Sequence, residues 1–430
     1  MKKEVNELVK FIEKSPTAFH AVDNLKKELV ENGFTELSET EVWKLKKGGK
    51  YFVTRNGSSI ISFKLPKADY KGFYMIASHS DSPAFKVKEN PEIESAGAYV
   101  TLNVEKYGGM LCAPWFDRPL SIAGRVMVKG TGKAIKAKSV LVNIDKDLVM
   151  IPSLAIHMDR EANDGHKYNV QKDLLPIIGD AKSKDSLMKL VAKAAGCDVK
   201  NIVSHDLFLY NRTAASVWGA NEEYLSASRL DDIECCYASF KGFLKAENKK
   251  HVTMHVVFDN EEVGSTTKQG AASTFLKDTL SRISEGFGKT NSEHLVSLAN
   301  SFMVSADNAH AIHPNFTEKA DPVNRPHMNE GIVIKYNANQ KYTTDSVSAA
   351  ACKMICDAAK VPYQTFTNRS DVAGGSTLGN ISGTQVAVNT VDIGMAQLAM
   401  HSPYETCGVE DIKYLESFSD EFYKSDIDMQ

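Results

Sequence analysis

Apolar and polar positions along the chain fall into two alternating textures. The runs FYMIA (73–77), HVTMHVVF (251–258), SFMVSA (301–306) and QVAVNTVDI (385–393) are almost uninterrupted in hydrophobicity, as strands covered on both faces must be. Between and after them apolar residues recur at helical spacing, predicting helices over about 227–247, 265–284 and 343–359. At the amino terminus Leu8, Phe11 and Ile12 share one helical face, Ser15-Pro16 reads as the cap and first position of a second helix, and Gly33 closes it. Strands alternating with helices predict an α/β fold, a doubly wound and mostly parallel sheet.

From about 90 to 221 the texture changes. Shorter strands, split by glycine and lysine as in GRVMVKGTGKAIKAKSVLVNI, surround one helical stretch, SKDSLMKLVAKAAG. The expected division is therefore a discontinuous catalytic domain, 1–89 with 222–430, around an inserted β-rich domain, 90–221. A length of 430 residues exceeds what one core usually supports and fits that division. Trp115 and Phe116 in the insertion read equally as core or as interface.

Charge narrows the function classes. With 51 Lys and Arg against 54 Asp and Glu, the net charge of −3 argues against nucleic acid or an anionic membrane as a partner. Charges interrupt the amino-terminal apolar residues every few positions, unlike a secretory leader, and no run has the length of a membrane span. Seven cysteines without a CxxC pair point to reduced thiols and a cytoplasmic protein. Neither a GxSxG elbow nor a phosphate-binding GxxxxGK[ST] loop is present.

In open α/β sheets chemistry gathers beyond the carboxyl ends of the strands. There stand His79 and Asp81 after FYMIAS, Asp259, Glu261 and Glu262 after HVVF, Asp307, His310 and His313 after SFMVSA, and His401 after the last run; SRLDD adds Asp231 and Asp232. Singly, each reads as a loop histidine, a helix cap or a solvated acid. Together, so many acids in one cleft would repel one another unless cations held them. Histidine and carboxylate donors without thiolate suit Zn²⁺, with Mn²⁺ or Co²⁺ as alternatives, and a pair of ions sharing a carboxylate about 3.5–4 Å apart would use such a set. In His-x-Asp the two side chains share a face of the strand, so Asp81 is expected to accept the second N–H of His79. Neighbours on an extended chain face opposite ways, so Glu261 and Glu262 are expected to divide their roles, while Asp259 supports the turn. Asp371, Gly374 and Gly375 form either a loop against the substrate or an ordinary glycine-rich turn.

The blocks SHSDSPAF, SRLDD, DNEEVGS, SADNAHAIHPNF and MHSPYE, together with SLAIHMDR, occur in an order that resembles the M18 family of metallo-aminopeptidases, the aspartyl aminopeptidase family, over nearly the whole chain. The resemblance implies a zinc-exopeptidase-like catalytic domain with an inserted β-rich oligomerisation domain. It implies that His79, Asp231, Glu262, Asp307 and His401 bind two zinc ions per subunit, with Asp231 bridging, and that Glu261 is the general base. The family often shows Asp-Asn where this chain has Asp231-Asp232. His157, in LAIH, would reach the active site of a neighbouring subunit, and His310, Lys335 and Tyr342 match positions that contact the bound amino acid. The implied activity is removal of N-terminal residues from peptides with a free amino terminus. A preference for Asp or Glu is expected, with Lys335 pairing the substrate carboxylate, although Lys335 also reads as a solvent-facing strand-end lysine. Alternatives are a preference for neutral or basic residues, or a non-catalytic shell or cargo protein of the same fold. Homo-oligomers, dimers assembling into a dodecamer, are implied as well.

Overall fold

The computed structural model describes residues 2–132 and 134–429. Among these, three sheets form. The central one has nine strands, in the order Thr35–Leu37, Lys50–Arg55, Ser59–Lys64, Val252–Phe258, Phe73–His79, Phe302–Ala306, Asn389–Gly394, Ile332–Lys335 and Tyr363–Phe366. Its middle is parallel: Phe73–His79 pairs in parallel with both Val252–Phe258 and Phe302–Ala306, and the latter with Asn389–Gly394. These strands are buried along essentially their whole length, which is why their sequences lack polar alternation.

Helices cover both faces. Lys3–Lys14, Leu230–Lys245, Ser346–Ala359 and Asp411–Lys424 close one core, with Leu8, Phe240, Ile355, Leu415 and Phe418 fully or nearly fully enclosed; Phe275–Gly286 covers the other through Phe275, Leu276, Leu280 and Ile283. Burying each such aliphatic or aromatic side chain contributes about 1.5–3 kcal/mol. The doubly wound α/β arrangement expected from the sequence is the one found.

Several element boundaries differ from expectation for local reasons. The second helix is Ala18–Glu31 and its cap is Thr17, in extended conformation, while Ser15 ends the first helix; Pro16 stands between the two. The helix expected from 265 begins at Phe275, because Gly264 and Ser265 have left-handed backbones (φ +95° and +60°) and the chain turns back through Ala272 N–H to Ser265 O. The strand expected from 385 begins at Asn389, because Gln385 and Val386 still donate to Ser382 at the end of the helix Leu378–Ser382. The helix expected over 343–359 is Ser346–Ala359, its start set by Asp345, which accepts the Ser348 N–H at 2.8 Å.

A six-stranded antiparallel sheet lies apart from the central one. Its order is Ala137–Asn143, Leu120–Lys129, Ile202–Asn211, Ala84–Ser95, Tyr99–Tyr107 and Ile177–Asp180, so it takes in chain from Ala84 to Asn211. It has its own core, where Trp115 is buried edge-on to Phe85. The helix Leu187–Ala195 packs on it and ends at Gly196, whose positive φ a side chain would strain. The third, five-stranded sheet joins Ser216–Trp218 and Tyr224–Ala227 to Glu405–Gly408, Ala396–Leu398 and Ala309–His310. All seven cysteines are free thiols, and among the described residues no helix is long and apolar enough to cross a membrane.

Candidate metal centre

Four strand ends and one helix entry converge at the carboxyl edge of the central sheet. His79 ends its strand; Asp307 follows Phe302–Ala306; Asp231 and Asp232 open Leu230–Lys245 with non-helical backbones that turn their carboxylates toward the sheet; His401 follows Ala396–Leu398. After Val252–Phe258, Asn260 adopts a left-handed backbone (φ +63°) and Glu261–Val263 form one 3-10 turn. Glu261 and Glu262 therefore do not alternate across an extended strand, as expected from the sequence; the turn carries both into the cluster, and donor atoms of His79, Glu261 and Glu262 lie within 4.8 Å of one another.

Two donor groups share Asp231. One is His79, Asp231, Asp232 and Asp307; the other is Asp231, Glu262 and His401. Asp231 Oδ1 lies 3.5 Å from His79 Nε2 and its Oδ2 lies 3.4 Å from His401 Nε2. His79 Nε2 is 3.8 Å from Asp307 Oδ1, and His401 Nε2 is 3.2 Å from Glu262 Oε2. Asp231 Oδ1, Asp232 Oδ1 and Glu262 Oε1 are buried oxygens without hydrogen-bond partners, a costly arrangement that bound cations would relieve. This donor set, oxygen and imidazole nitrogen without sulfur, fits Zn²⁺.

The electrostatics carry the same demand for positive charge. Burial opposes protonation of His79 and His401, yet the carboxylates around them raise both, His401 to about 9. Burial works to raise Asp231, but His401 and His79 hold it below the usual carboxylate range. Burial, with Asp307 and Asp231 beside it and with His79 and the Cys235 thiol pulling the other way, lifts Asp232 well above that range. Asp232 Oδ2 accepts the backbone N–H of His79 at 3.0 Å. Held neutral, this side chain has the shape of the asparagine that the resembled family often carries there. Glu261 is lifted to about 8 by burial and by Asp307, Asp81 and Asp231, against the pull of His79.

Asp81 is tied closer to the turn than expected. The backbone O of Asp81 is 3.1 Å from His79 Nδ1 and its carboxylate Oδ1 is 3.3 Å from the same atom. Its carboxylate also accepts the N–H groups of Glu261 (3.1 Å) and Glu262 (3.2 Å) and the Tyr107 hydroxyl (2.6 Å). Asp259 accepts the Asn260 N–H at 2.8 Å, within the turn.

Of the remaining expected residues, Lys335 is buried, not solvent-facing. Its Nζ donates to Asn308 O at 2.8 Å, stands 3.8 Å from Asp307 Oδ2 and lies over the Tyr342 ring, so its charge is spent inside the centre. Burial raises the Tyr342 phenol. His310 opens onto a cleft of about 370 Å³ beside the centre, which His313, Lys319, Arg369 and Gly375 also line. Arg369 is held bidentately by Asp371, at 2.8 and 2.7 Å. His157 stands apart: it is exposed in a loop of the insertion and makes no hydrogen bond or ion pair among the described residues. Sequence reasoning missed Tyr107 and Gly109, whose carbonyl lies 2.5 Å from His401 Nδ1; neither belongs to a strand end of the central sheet.

Fold and donor set together define a metal-dependent hydrolase on a doubly wound sheet. The family described as Aminopeptidase I zinc metalloprotease (M18) matches residues 11–423. A probable M18 family aminopeptidase 2 of Clostridium acetobutylicum is 50% identical over 422 residues, 97% of each chain, and one of Pseudomonas aeruginosa is 40% identical over 437 residues, 99% of each. Among solved structures, Ape4 in a cryo-EM complex with Nbr1 superposes with a TM-score of 0.94 at 37% identity, covering 98% of this chain and 85% of that one. The S. cerevisiae mApe1 dodecamer gives 0.86 at 29%, covering 98% and 96%. The chain belongs to the M18 family and is a metallo-aminopeptidase.

Proposed function

We propose that the protein is a dinuclear zinc aminopeptidase that removes N-terminal residues from peptides, with Asp231 bridging two ions, His79 and Asp307 completing one set of ligands and Glu262 and His401 the other. The observation that carries this reading is the Asp231 carboxylate, one oxygen toward each imidazole at 3.5 and 3.4 Å. Zinc bound here supplies Lewis acidity toward the scissile carbonyl and lowers the pKa of water.

The chain's own residues do the rest. Glu261, beside the residues that would hold the metal, takes a proton from the attacking water and returns it to the leaving amine; burial and the neighbouring carboxylates lift it to about 8, close enough to neutrality for both transfers. Tyr342 and the partner subunit's His157 are the candidate donors to the tetrahedral oxyanion, each such donor being worth about 3 kcal/mol. His310 faces the bound amino acid across the cleft. Exposure of His157 in the insertion supports a role in a neighbouring site, and the insertion, proposed as residues 90–221, as the dimerising element of a homo-oligomer. Likeness to the mApe1 dodecamer supports assembly of such dimers into a dodecamer. Seven free thiols support a cytoplasmic location.

The proposed preference for N-terminal Asp or Glu draws on the cleft. Since Lys335 is engaged by Asn308 and Asp307, Lys319, whose side chain makes no hydrogen bond among the described residues, is the better partner for a substrate carboxylate. Hydrolysis of Asp-, Leu- and Lys-p-nitroanilides, compared by kcat/KM, tests it, and equal rates would sink the acidic assignment. For the base, Glu261→Gln is expected to abolish turnover while keeping its zinc; near-normal kcat would disprove that role.

A further inference from the structure

We propose that Tyr107 and the Gly108-Gly109 step after it, all supplied by the inserted sheet, are positioning residues that fix both halves of the metal centre. The inference rests on the metal reading above. Tyr107 ends the strand Tyr99–Tyr107, where its ring meets Phe208 of the same sheet edge-on at 5.5 Å. Its hydroxyl donates to Asp81 Oδ2 at 2.6 Å and accepts from Asn260 Nδ2 at 2.8 Å. Asn260 is itself held by Thr267 and Gln269, each donating to its Oδ1 at 2.8 Å. One phenol therefore joins the two segments that carry His79 and the Glu261-Glu262 turn, because Asp81 accepts from both glutamate N–H groups and faces His79 Nδ1.

Two residues further on, the Gly109 carbonyl accepts a hydrogen bond from His401 Nδ1–H. Both imidazoles then have Nδ1 engaged, by Asp81 in one half and Gly109 in the other, which leaves Nε2, on the Asp231 side of each ring, as the nitrogen that would ligate zinc. Fixing the tautomer in this way raises the basicity and orientation of a ligating histidine. Gly108 is the step that permits it: its φ is +80°, and a Cβ there would stand 3.1 Å from the Glu262 Cβ. A side chain would push the segment off the very ligand it passes.

The metal-free protein titrated with Zn²⁺ against a chromogenic chelator tests the inference without reference to turnover. Tyr107→Phe keeps the ring and loses only the hydroxyl; it is expected to bind zinc about tenfold or more weakly, within the 10–100-fold range of lost outer contacts, and to lower kcat with little change in KM. In an Asp81→Ala background the same substitution should add nothing, since its effect runs through Asp81. Phe208→Leu loosens the same packing without touching these hydrogen bonds and should keep wild-type zinc affinity. Gly108→Ala should weaken one ion of the two, that of the Glu262–His401 half. Wild-type affinity in Tyr107→Phe, an undiminished effect of it in the Asp81→Ala background, or an equal loss in Phe208→Leu would overturn the inference. A wild-type protein that takes up no zinc would instead fell the metal reading, and this inference with it.

Discussion

The two donor groups of the candidate metal centre share the Asp231 carboxylate and differ in almost everything around it. His79 ends a central strand of the sheet and its side chain is 1% exposed; His401 lies on a bend with a left-handed backbone (φ +67°) and its side chain is 31% exposed. The first half is enclosed by strands, by Asp232 at the His79 backbone and by Lys335 beside Asp307. The second is closed by the Gly109 carbonyl, from the loop after Tyr107, and by the buried Glu405 carboxylate, which accepts the His401 N–H at 2.8 Å. Equivalent ligand chemistry has thus been placed on a rigid support and on an open one, and the two should differ in how firmly they hold an ion and how easily water and substrate reach it.

The largest effect should come from what the halves share. Asp231→Ala is expected to lose both ions and to lower kcat/KM by more than the roughly 10²–10³-fold that removal of a single electrostatic donor costs; metal analysis showing one ion retained would mean that the halves are independent. Next, His79→Ala and His401→Ala should each keep one ion of two, but only His79→Ala should also lower the melting temperature markedly, because breaking a buried charged cluster costs about 3–5 kcal/mol. Equal melting temperatures would erase the distinction drawn here. A smaller effect is kinetic: timed chelation of the wild-type protein should release zinc in two phases, the faster one missing in His401→Ala.

The smallest effect separates the centre from the sheet beneath it. His255, fully buried in the strand that leads to Glu261, is pushed down to about 3 by burial, with the Cys236 carbonyl pulling weakly the other way. Its ring contacts Ser239 Oγ and Cys236 O at 3.1 Å. The unfolded chain binds a proton at this histidine below about pH 6.5 and the folded one only below about 3. Between those values the unfolded state holds more protons, so stability falls as pH falls, by about 1.4 kcal/mol per unit. His255→Gln should flatten that part of the stability curve, measured by denaturant melts with chelator present so that metal loss does not enter. An unchanged slope would show that this histidine is not a source of the acid sensitivity.

Legibility in the sequence followed the same division. His79, Glu261, Glu262 and Asp307 could be picked out because long apolar runs of the central sheet end abruptly in histidine and carboxylate, and the structure does bring them together with Asp231, at a helix entry, and His401, after a strand of the third sheet. The turn after Phe258 was misread as extended, and the helix after it was started ten residues early, because left-handed backbones at Asn260 and Ser265 have no signature in residue types that tolerate other conformations. Lys335 was read as a partner for substrate or solvent, since no local pattern tells a buried lysine paired with a strand-end aspartate from an exposed one. Tyr107 and Gly109 gave no signal at all: their partners, Asp81 and His401, lie 26 and 292 positions away.

What the sequence determined by itself was whatever depends on short-range order: the burial of the parallel strands and the kinds of donor placed where those strands stop. Tertiary structure alone decided which donors come together, which carboxylate has one oxygen toward each imidazole, and that Tyr107 and Gly109 of the six-stranded segment reach Asp81 and His401. The reason is geometric. Hydrophobic periodicity fixes the direction of a side chain relative to its own strand, but ligation is set by ångström distances between segments that meet only when the sheet is assembled.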